Sequence, residues 1–303
     1  MQLGIKIGLN NWKENLEKTD SKLCEIWFRI DWEEKYKEIF KFLNKNNIKT
    51  GLHFWGVLKN NIYPSILTDD NKIREESKNL IKKVIDIAYK NGFSYVNIHP
   101  EARMLFKLIF PEGEVIPLNK KTSVLSAKKY LIESGKELSD YSRKRNVTLL
   151  IETVPKLEPK FWWGKTRNKH PKRELINTYT VPSEWFFDLG KNGIDINLDV
   201  PHILTEIAEN RQNIMMIDLK NKINKLAPYT KLLHVSTTSP PFNGSETHNG
   251  FTKKDYERGV LPGIKDYKDI LLIIEKYNKD LWIIPEPEKN HIENFNILKK
   301  EFC

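Results

Sequence analysis

Eight short apolar or β-branched runs, most of them followed by an amphipathic stretch, constrain the fold of this chain more than any other feature of its sequence. The runs are Leu3–Gly8, Leu23–Ile30, Ile48–His53, Tyr95–His99, Val147–Glu152, Ile194–Asp199, Leu232–Ser236 and Leu281–Glu286. Helical patterns lie between them at Trp32–Asn46, Asp70–Lys90, Ser123–Lys144, Ser183–Leu189, Ile203–Asn210, Ile214–Leu226, Tyr267–Lys276 and His291–Lys299. Asn91-Gly92 and Lys191-Asn192-Gly193 supply turns that close several of these units. Strands alternating with helices build parallel sheets, and eight such units predict an α/β fold, a closed (β/α)₈ TIM barrel. An open doubly wound sheet is the alternative, but no glycine-rich phosphate loop follows the first strand. Without a Pro-, Gly- or Ser-rich linker or a low-complexity tract, residues 1–303 read as one domain, with one insertion at about 155–182.

Strand parity indicates where the chemistry sits. In the sixth run Asp195, Asn197 and Asp199 alternate with Ile194, Ile196 and Leu198, so the polar set faces one side of the sheet and the apolar set the other. Tyr95, Asn97 and His99 alternate with Val96 and Ile98 in the same way. Five of the seven histidines, His53, His99, His202, His234 and His248, lie at or just beyond strand ends. In a barrel those ends converge on one mouth, whatever their separation in sequence. Glu152, Asp199 and Glu286 would crowd into the same space, and divalent cations would relieve the repulsion among them. A mixed imidazole and carboxylate set suits Zn²⁺, with Mn²⁺ or Fe²⁺ as alternatives. Glu288 competes with Glu286 for the last place, because parity does not separate two residues on the same face.

Composition narrows the setting. No apolar run is long enough to span a bilayer, and the N-terminal residues look like a strand rather than a secretion signal, so a cytoplasmic enzyme with no membrane partner is expected. Cys24 and Cys303 offer no framework of pairs. The net charge of +10 favours a polyanion partner, although lysine-rich composition alone produces the same number. The insertion concentrates Trp162, Trp163, Lys165, Arg167, Lys169, Lys172 and Arg173, a set able to hold a nucleic-acid backbone and stack on a base. His170 in that loop and His291 read as surface residues.

The strand-end motifs Gly51-Leu52-His53, Asn97-Ile98-His99-Pro100, Leu150-Ile151-Glu152-Thr153, Leu198-Asp199-Val200-Pro201-His202, Leu233-His234-Val235-Ser236 and Ile284-Pro285-Glu286 resemble those of the xylose-isomerase-like barrels, over nearly the whole chain. That superfamily includes sugar isomerases and epimerases as well as endonuclease IV, which cuts DNA at abasic sites. The ligand set resembles endonuclease IV most. The resemblance implies up to three metal ions: one with Glu152, Asp199, His234 and Glu286, a second with His53, His99 and bridging Glu152, and a third with His202, Glu246 and His248. It implies a metal-dependent phosphodiesterase acting on abasic or nicked duplex DNA, with no side chain as covalent nucleophile.

Several positions depart from that pattern. Glu246 replaces an Asp, Thr237 stands where an Asp commonly follows, Glu101 replaces a Gly, and Phe54-Trp55-Gly56-Val57 does not reproduce the duplex wedge. The alternative is a metal-dependent sugar or sugar-phosphate isomerase or epimerase, in which Glu152 and Glu286 are the catalytic pair that moves a proton on and off carbon. A non-catalytic binding barrel and an oxidative iron enzyme are further classes on the same scaffold.

Overall fold

The first strand closes the barrel. In the computed structural model, which describes residues 1–100, 102–162, 174–207 and 211–303, strand β1 runs as Gln2–Leu3 and Ile5–Ile7 on either side of Gly4. Its first piece pairs in parallel with the last strand and its second with the next strand. The strands that follow are β2 (Leu23–Arg29), β3 (Lys49–Trp55), β4 (Tyr95–Ile98), β5 (Thr148–Glu152), β6 (Asp195–Asp199), β7 (Thr230–Val235) and β8 (Trp282–Pro285). Each pairs in parallel with its neighbours in chain order. All eight predicted strands are present, and the closed barrel is the predicted fold.

Alternation sorts the side chains as parity requires. Ile196 and Leu198 on β6, Val96 and Ile98 on β4, and Leu149 and Ile151 on β5 join the large apolar cluster between the sheet and the outer helices. Burying each such side chain contributes roughly 1.5–3 kcal/mol. Inside the barrel a separate small cluster of Leu23, Tyr95, Leu150, Leu232 and Ile284 fills the floor. The polar residues stand one step further along each strand, so the apolar plug lies beneath them and excludes water from below.

The helices follow the predicted pattern closely at Asn71–Lys90 and Val124–Arg143, where Asp70 and Ser123 cap the first turns by accepting from the backbone N–H groups of Ile73 and Ser126. Gly92 and Gly193, at φ +66° and +77°, occupy the left-handed conformation that lets the chain leave a helix and enter the next strand. Three elements differ from the expected pattern. Trp12–Thr19 is an unpredicted helix. The stretch read as Trp32–Asn46 begins as a 3₁₀ segment, Ile30–Tyr36, that is kinked at Trp32 before the α-helix Lys37–Lys45. After β6 the helix is Val200–Leu204 rather than Ile203–Asn210, because Asp199 caps it immediately and Pro201 suits its first turn.

Two insertions wall the mouth, where the sequence indicated one. Met104–Ile109 and Glu114–Lys121 form an antiparallel hairpin after β4. Glu158–Pro159 pairs with Leu175–Ile176 after β5. Isolated bridges between Ala102 and Thr180 and between Glu114 and Phe161 tie the two together. Tyr63, Phe106, Leu108, Val115 and Trp162 pack as their common core. Among the described residues no helix is long and apolar enough to cross a membrane.

Candidate metal centre

One residue from each strand builds the centre. Lys6 (β1), Glu25 (β2), His53 (β3), Asn97 (β4), Glu152 (β5), Asn197 (β6) and His234 (β7) are all at most 2% exposed, and Glu286, just past β8, is 4% exposed. Above this layer come His99, Asp199 and His202, the last placed by the short helix whose backbone N–H donates to Asp199 Oδ1 at 3.1 Å. Glu246 and His248 arrive from the long connection after β7. Glu288 is exposed, so Glu286 is the residue that faces the centre.

His234 is the hub. Its Nδ1 lies 2.5 Å from Glu286 Oε2 and 3.0 Å from Glu152 Oε1, while its Nε2 lies 2.9 Å from Glu25 Oε1. Burial alone would suppress its charge, but Glu152, Glu286 and Glu25 outweigh that and raise its pKa well above the ordinary histidine value. Burial likewise pushes Glu152 and Glu286 upward, and His234 beside them reverses the sign, with His53 and His99 adding to it at Glu152 and Lys6 at Glu286. Asp199 is the exception. Burial, reinforced by Glu246 and Glu152 and only partly offset by His202, lifts it to about 6.

The donor set fits a divalent cation. Glu152, Asp199, His234 and Glu286 are all buried and each places a ligand atom within 4.8 Å of the others. Asp199 Oδ2 is buried without a hydrogen-bond partner, a condition that carries a desolvation cost until a cation meets it. Two further groups adjoin this one. His53 Nε2 and His99 Nε2 each stand 3.5 Å from Glu152 Oε2. His202 Nε2 stands 2.6 Å from Glu246 Oε2, and His248 Nε2 stands 2.6 Å from Glu246 Oε1. The backbone carbonyl of Thr153 takes Nδ1 of His202, which leaves Nε2 facing Glu246. All nine residues expected as ligands thus converge on one mouth. Oxygen and imidazole donors in this mixture suit Zn²⁺, Mn²⁺ or Fe²⁺.

Above the donors opens a cavity of about 330 Å³, with Trp27, Trp55 and Trp162 among its walls. Trp162, also expected to contact nucleic acid, lines this cavity: it is 8% exposed, packs edge-on against Trp55 and Tyr63, and donates from Nε1 to Glu158. The other residues expected to contact nucleic acid, Trp163, Lys165, Arg167, Lys169, Lys172 and Arg173, lie outside the described residues. Glu158 also lines the cavity, and its burial lifts its pKa to about 7.

Three charged participants were not anticipated. Lys6 and Glu25 form an ion pair on the centre's underside, and Glu158 comes from the second insertion. The signal for the first two was a single charge in each of Ile5-Lys6-Ile7 and Cys24-Glu25-Ile26, on the face that also carries the histidines. No comparable pattern marks Glu158.

Comparisons with known proteins agree with the architecture. No curated protein matches the sequence. Among solved structures, a D-psicose 3-epimerase from Clostridium cellulolyticum H10, determined with D-tagatose, superposes with a TM-score of 0.58 at 15% identity, covering 98% of this chain and 90% of its own. A D-tagatose 3-epimerase-like protein gives 0.65 at 13% identity, covering 99% and 97%. The IOLI protein with a bound zinc atom gives 0.61 at 16%, covering 99% and 96%. At such identities the likeness is one of fold. The model of the xylose isomerase-like TIM barrel family matches residues 14–301, and the chain belongs to that family.

Proposed function

We propose that this enzyme is a metal-dependent isomerase or epimerase acting on a small polyhydroxylated substrate, a sugar or sugar phosphate. The observation that carries the reading is the cavity: about 330 Å³, lined by the indole rings of Trp27, Trp55 and Trp162 together with carboxylates and imidazoles. That space suits a single sugar ring, with aromatic faces against its C–H groups and polar groups against its hydroxyls. A duplex would need an open groove. The epimerases among its structural relatives support the reading by analogy, since unrelated chemistries share this fold.

In this reading Glu152, Asp199, His234 and Glu286 hold the metal, which supplies Lewis-acid polarisation of a substrate carbonyl or hydroxyl. Glu152 and Glu286 approach one another across His234 Nδ1, and they are the pair that removes a carbon-bound proton and returns it. Asn97 donates from Nδ2 to Glu152 Oε2 and fixes the direction of that carboxylate. Trp27, stacked on Trp55 with centroids 5.2 Å apart, keeps water from the reacting carbon.

The test is metal-dependent exchange of a carbon-bound substrate proton with solvent deuterium, across ketoses, aldoses and their phosphates. Exchange that is lost on chelation supports the reading; no exchange with any of them in the metal-loaded protein defeats it. A phosphodiesterase is the second reading, favoured by the additional donor group His202, Glu246 and His248, which single-metal proton transfer does not require. Cleavage of abasic duplex DNA by the same preparation would decide for it.

A further inference from the structure

Beneath the donor set, Lys6 and Glu25 are each 0% exposed and paired to one another. An ion pair sealed inside a barrel is weak evidence for stability, because desolvation offsets most of the attraction. Its contacts point instead to the two histidines above it. Glu25 Oε1 lies 2.9 Å from His234 Nε2. Lys6 Nζ lies 2.6 Å from His53 Nδ1 and 3.0 Å from Glu286 Oε1. Glu25 is 3.5 Å from the same His53 nitrogen, well beyond the lysine.

We propose that the Lys6–Glu25 pair sets which ring nitrogen each histidine presents to the centre: His234 an unprotonated Nδ1 for the metal, and His53 an Nε2–H that donates. A carboxylate only accepts, so Glu25 requires a proton on His234 Nε2 and leaves Nδ1 as the nitrogen that takes the metal, beside Glu152 and Glu286. An ammonium only donates, so Lys6 requires a lone pair on His53 Nδ1 and places the remaining proton on Nε2. That nitrogen is buried without a hydrogen-bond partner and faces Glu152 Oε2 at 3.5 Å. A histidine protonated there cannot ligate through Nε2. His53 therefore serves as a positioning residue for Glu152 and as a donor at the base of the cavity, and the group His53, His99 and Glu152 does not hold an ion of its own while Lys6 is present. His53 and His234 are neighbours, with ring centroids 5.5 Å apart, and the charge pair beneath them divides their roles.

The inference rests on the metal reading of the Glu152 set but not on the identity of the substrate. The experiment is long-range ¹H–¹⁵N correlation of the zinc-loaded full chain with labelled histidine, which distinguishes the two tautomers directly, together with zinc analysis of wild type, Lys6→Met and His53→Asn. The expected result is His53 protonated at Nε2, His234 protonated at Nε2 and zinc-bound at Nδ1, and no zinc lost in His53→Asn. In Lys6→Met, His53 Nδ1 loses its donor and turns its proton to Glu25, and the protein gains one zinc equivalent that disappears again on adding His53→Asn. A His53 protonated at Nδ1 in wild type, or one zinc equivalent lost in His53→Asn alone, overturns the assignment. So does an unchanged His53 tautomer in Lys6→Met. If Lys6→Met does not fold, the wild-type spectrum and His53→Asn still decide. Wild type that takes up no zinc defeats the metal reading itself, an outcome distinct from zinc-loaded protein with the other tautomer.

Discussion

His234 Nδ1 pairs with Glu152 Oε1 at 3.0 Å and stands 2.5 Å from Glu286 Oε2, so in the proposed assignment the proton of this nitrogen would occupy the position that a metal would take. Burial opposes that proton, but Glu152, Glu286 and Glu25 hold it well above the ordinary histidine range. Asp199, lifted to about 6 mainly by burial, adds a second proton at mildly acid pH. Protons and metal compete for the same atoms, so affinity falls as pH falls, by about tenfold per pH unit for each proton displaced. Zinc competition titrations from pH 8 to pH 5 should show this decline, steepening below about pH 6 as Asp199 protonates; an affinity that is flat over that range would refute the assignment of these residues as ligands.

Asp199→Asn should separate binding from stability. The substitution keeps the side-chain oxygen that accepts from the His202 N–H and removes the charge whose second oxygen has no hydrogen-bond partner. Losing an outer partner of a metal site costs about 10–100-fold in affinity, so losing a direct ligand should cost at least roughly 100-fold. The metal-free protein should be no less stable, since a buried and disfavoured carboxylate has been neutralised. Thermal melts with and without chelator measure both, and equal metal affinity in the variant would contradict the site.

The barrel was legible because its strands are buried on both faces in different ways. Ile196 and Leu198 meet helices while Asn197 and Asp199 meet the centre, and that alternation is written directly in the sequence. What could not be read depended on closure. A lone charge such as Lys6 or Glu25 in a strand ordinarily faces solvent, and only the joining of β1 to β8 turns both inward as partners. The hairpin Met104–Lys121 has Pro111-Glu112-Gly113 between two apolar runs, but such a hairpin interrupts the βα period and does not stand out from the loop around it. The helix Trp12–Thr19 has only Trp12 and Leu16 as large buried apolar residues and no side-chain cap, too little for a periodic pattern. Trp162 shows the limit of composition: its basic neighbours in sequence suggested nucleic acid, whereas its neighbours in space are Tyr63, Phe106 and Val115.

Glu158 gives a stability prediction with a definite sign. Burial is the largest influence on it and lifts its pKa to about 7, against an ordinary value of 4.5. The folded protein therefore binds a proton through that window and the unfolded chain does not. Stability conferred by the protonated form is complete below pH 4.5 and is lost as pH rises through about 7. Glu158→Gln keeps an acceptor for Trp162 Nε1–H and has no charge to bury. In chelator-treated protein the variant should match wild type near pH 4.5 and exceed it by on the order of 1–3 kcal/mol at pH 8. Denaturant titrations at the two pH values test this, and a constant difference between the proteins would disprove it.

The floor of the barrel makes the last prediction. A β-carbon at Gly51 would lie 2.0 Å from Cζ of Tyr95 and 2.1 Å from Cε2, so the ring crosses the bare backbone of β3. Tyr95 is 0% exposed and stacks on Trp282 with centroids 4.8 Å apart, which leaves it nowhere to withdraw. Gly51→Ala should therefore cost at least the roughly 1–3 kcal/mol typical of overpacking. It should also displace β3 and with it His53, two residues along on the same face, lowering activity as well as stability. Tyr95→Val removes the ring and leaves a cavity, and should be destabilising alone by about 2–5 kcal/mol. The double variant should be more stable than the sum of the two losses predicts, by on the order of 1–3 kcal/mol, because the added methyl then enters vacated space instead of a ring. Unfolding free energies of the four proteins close the cycle, and strict additivity would show that the clash is relieved elsewhere.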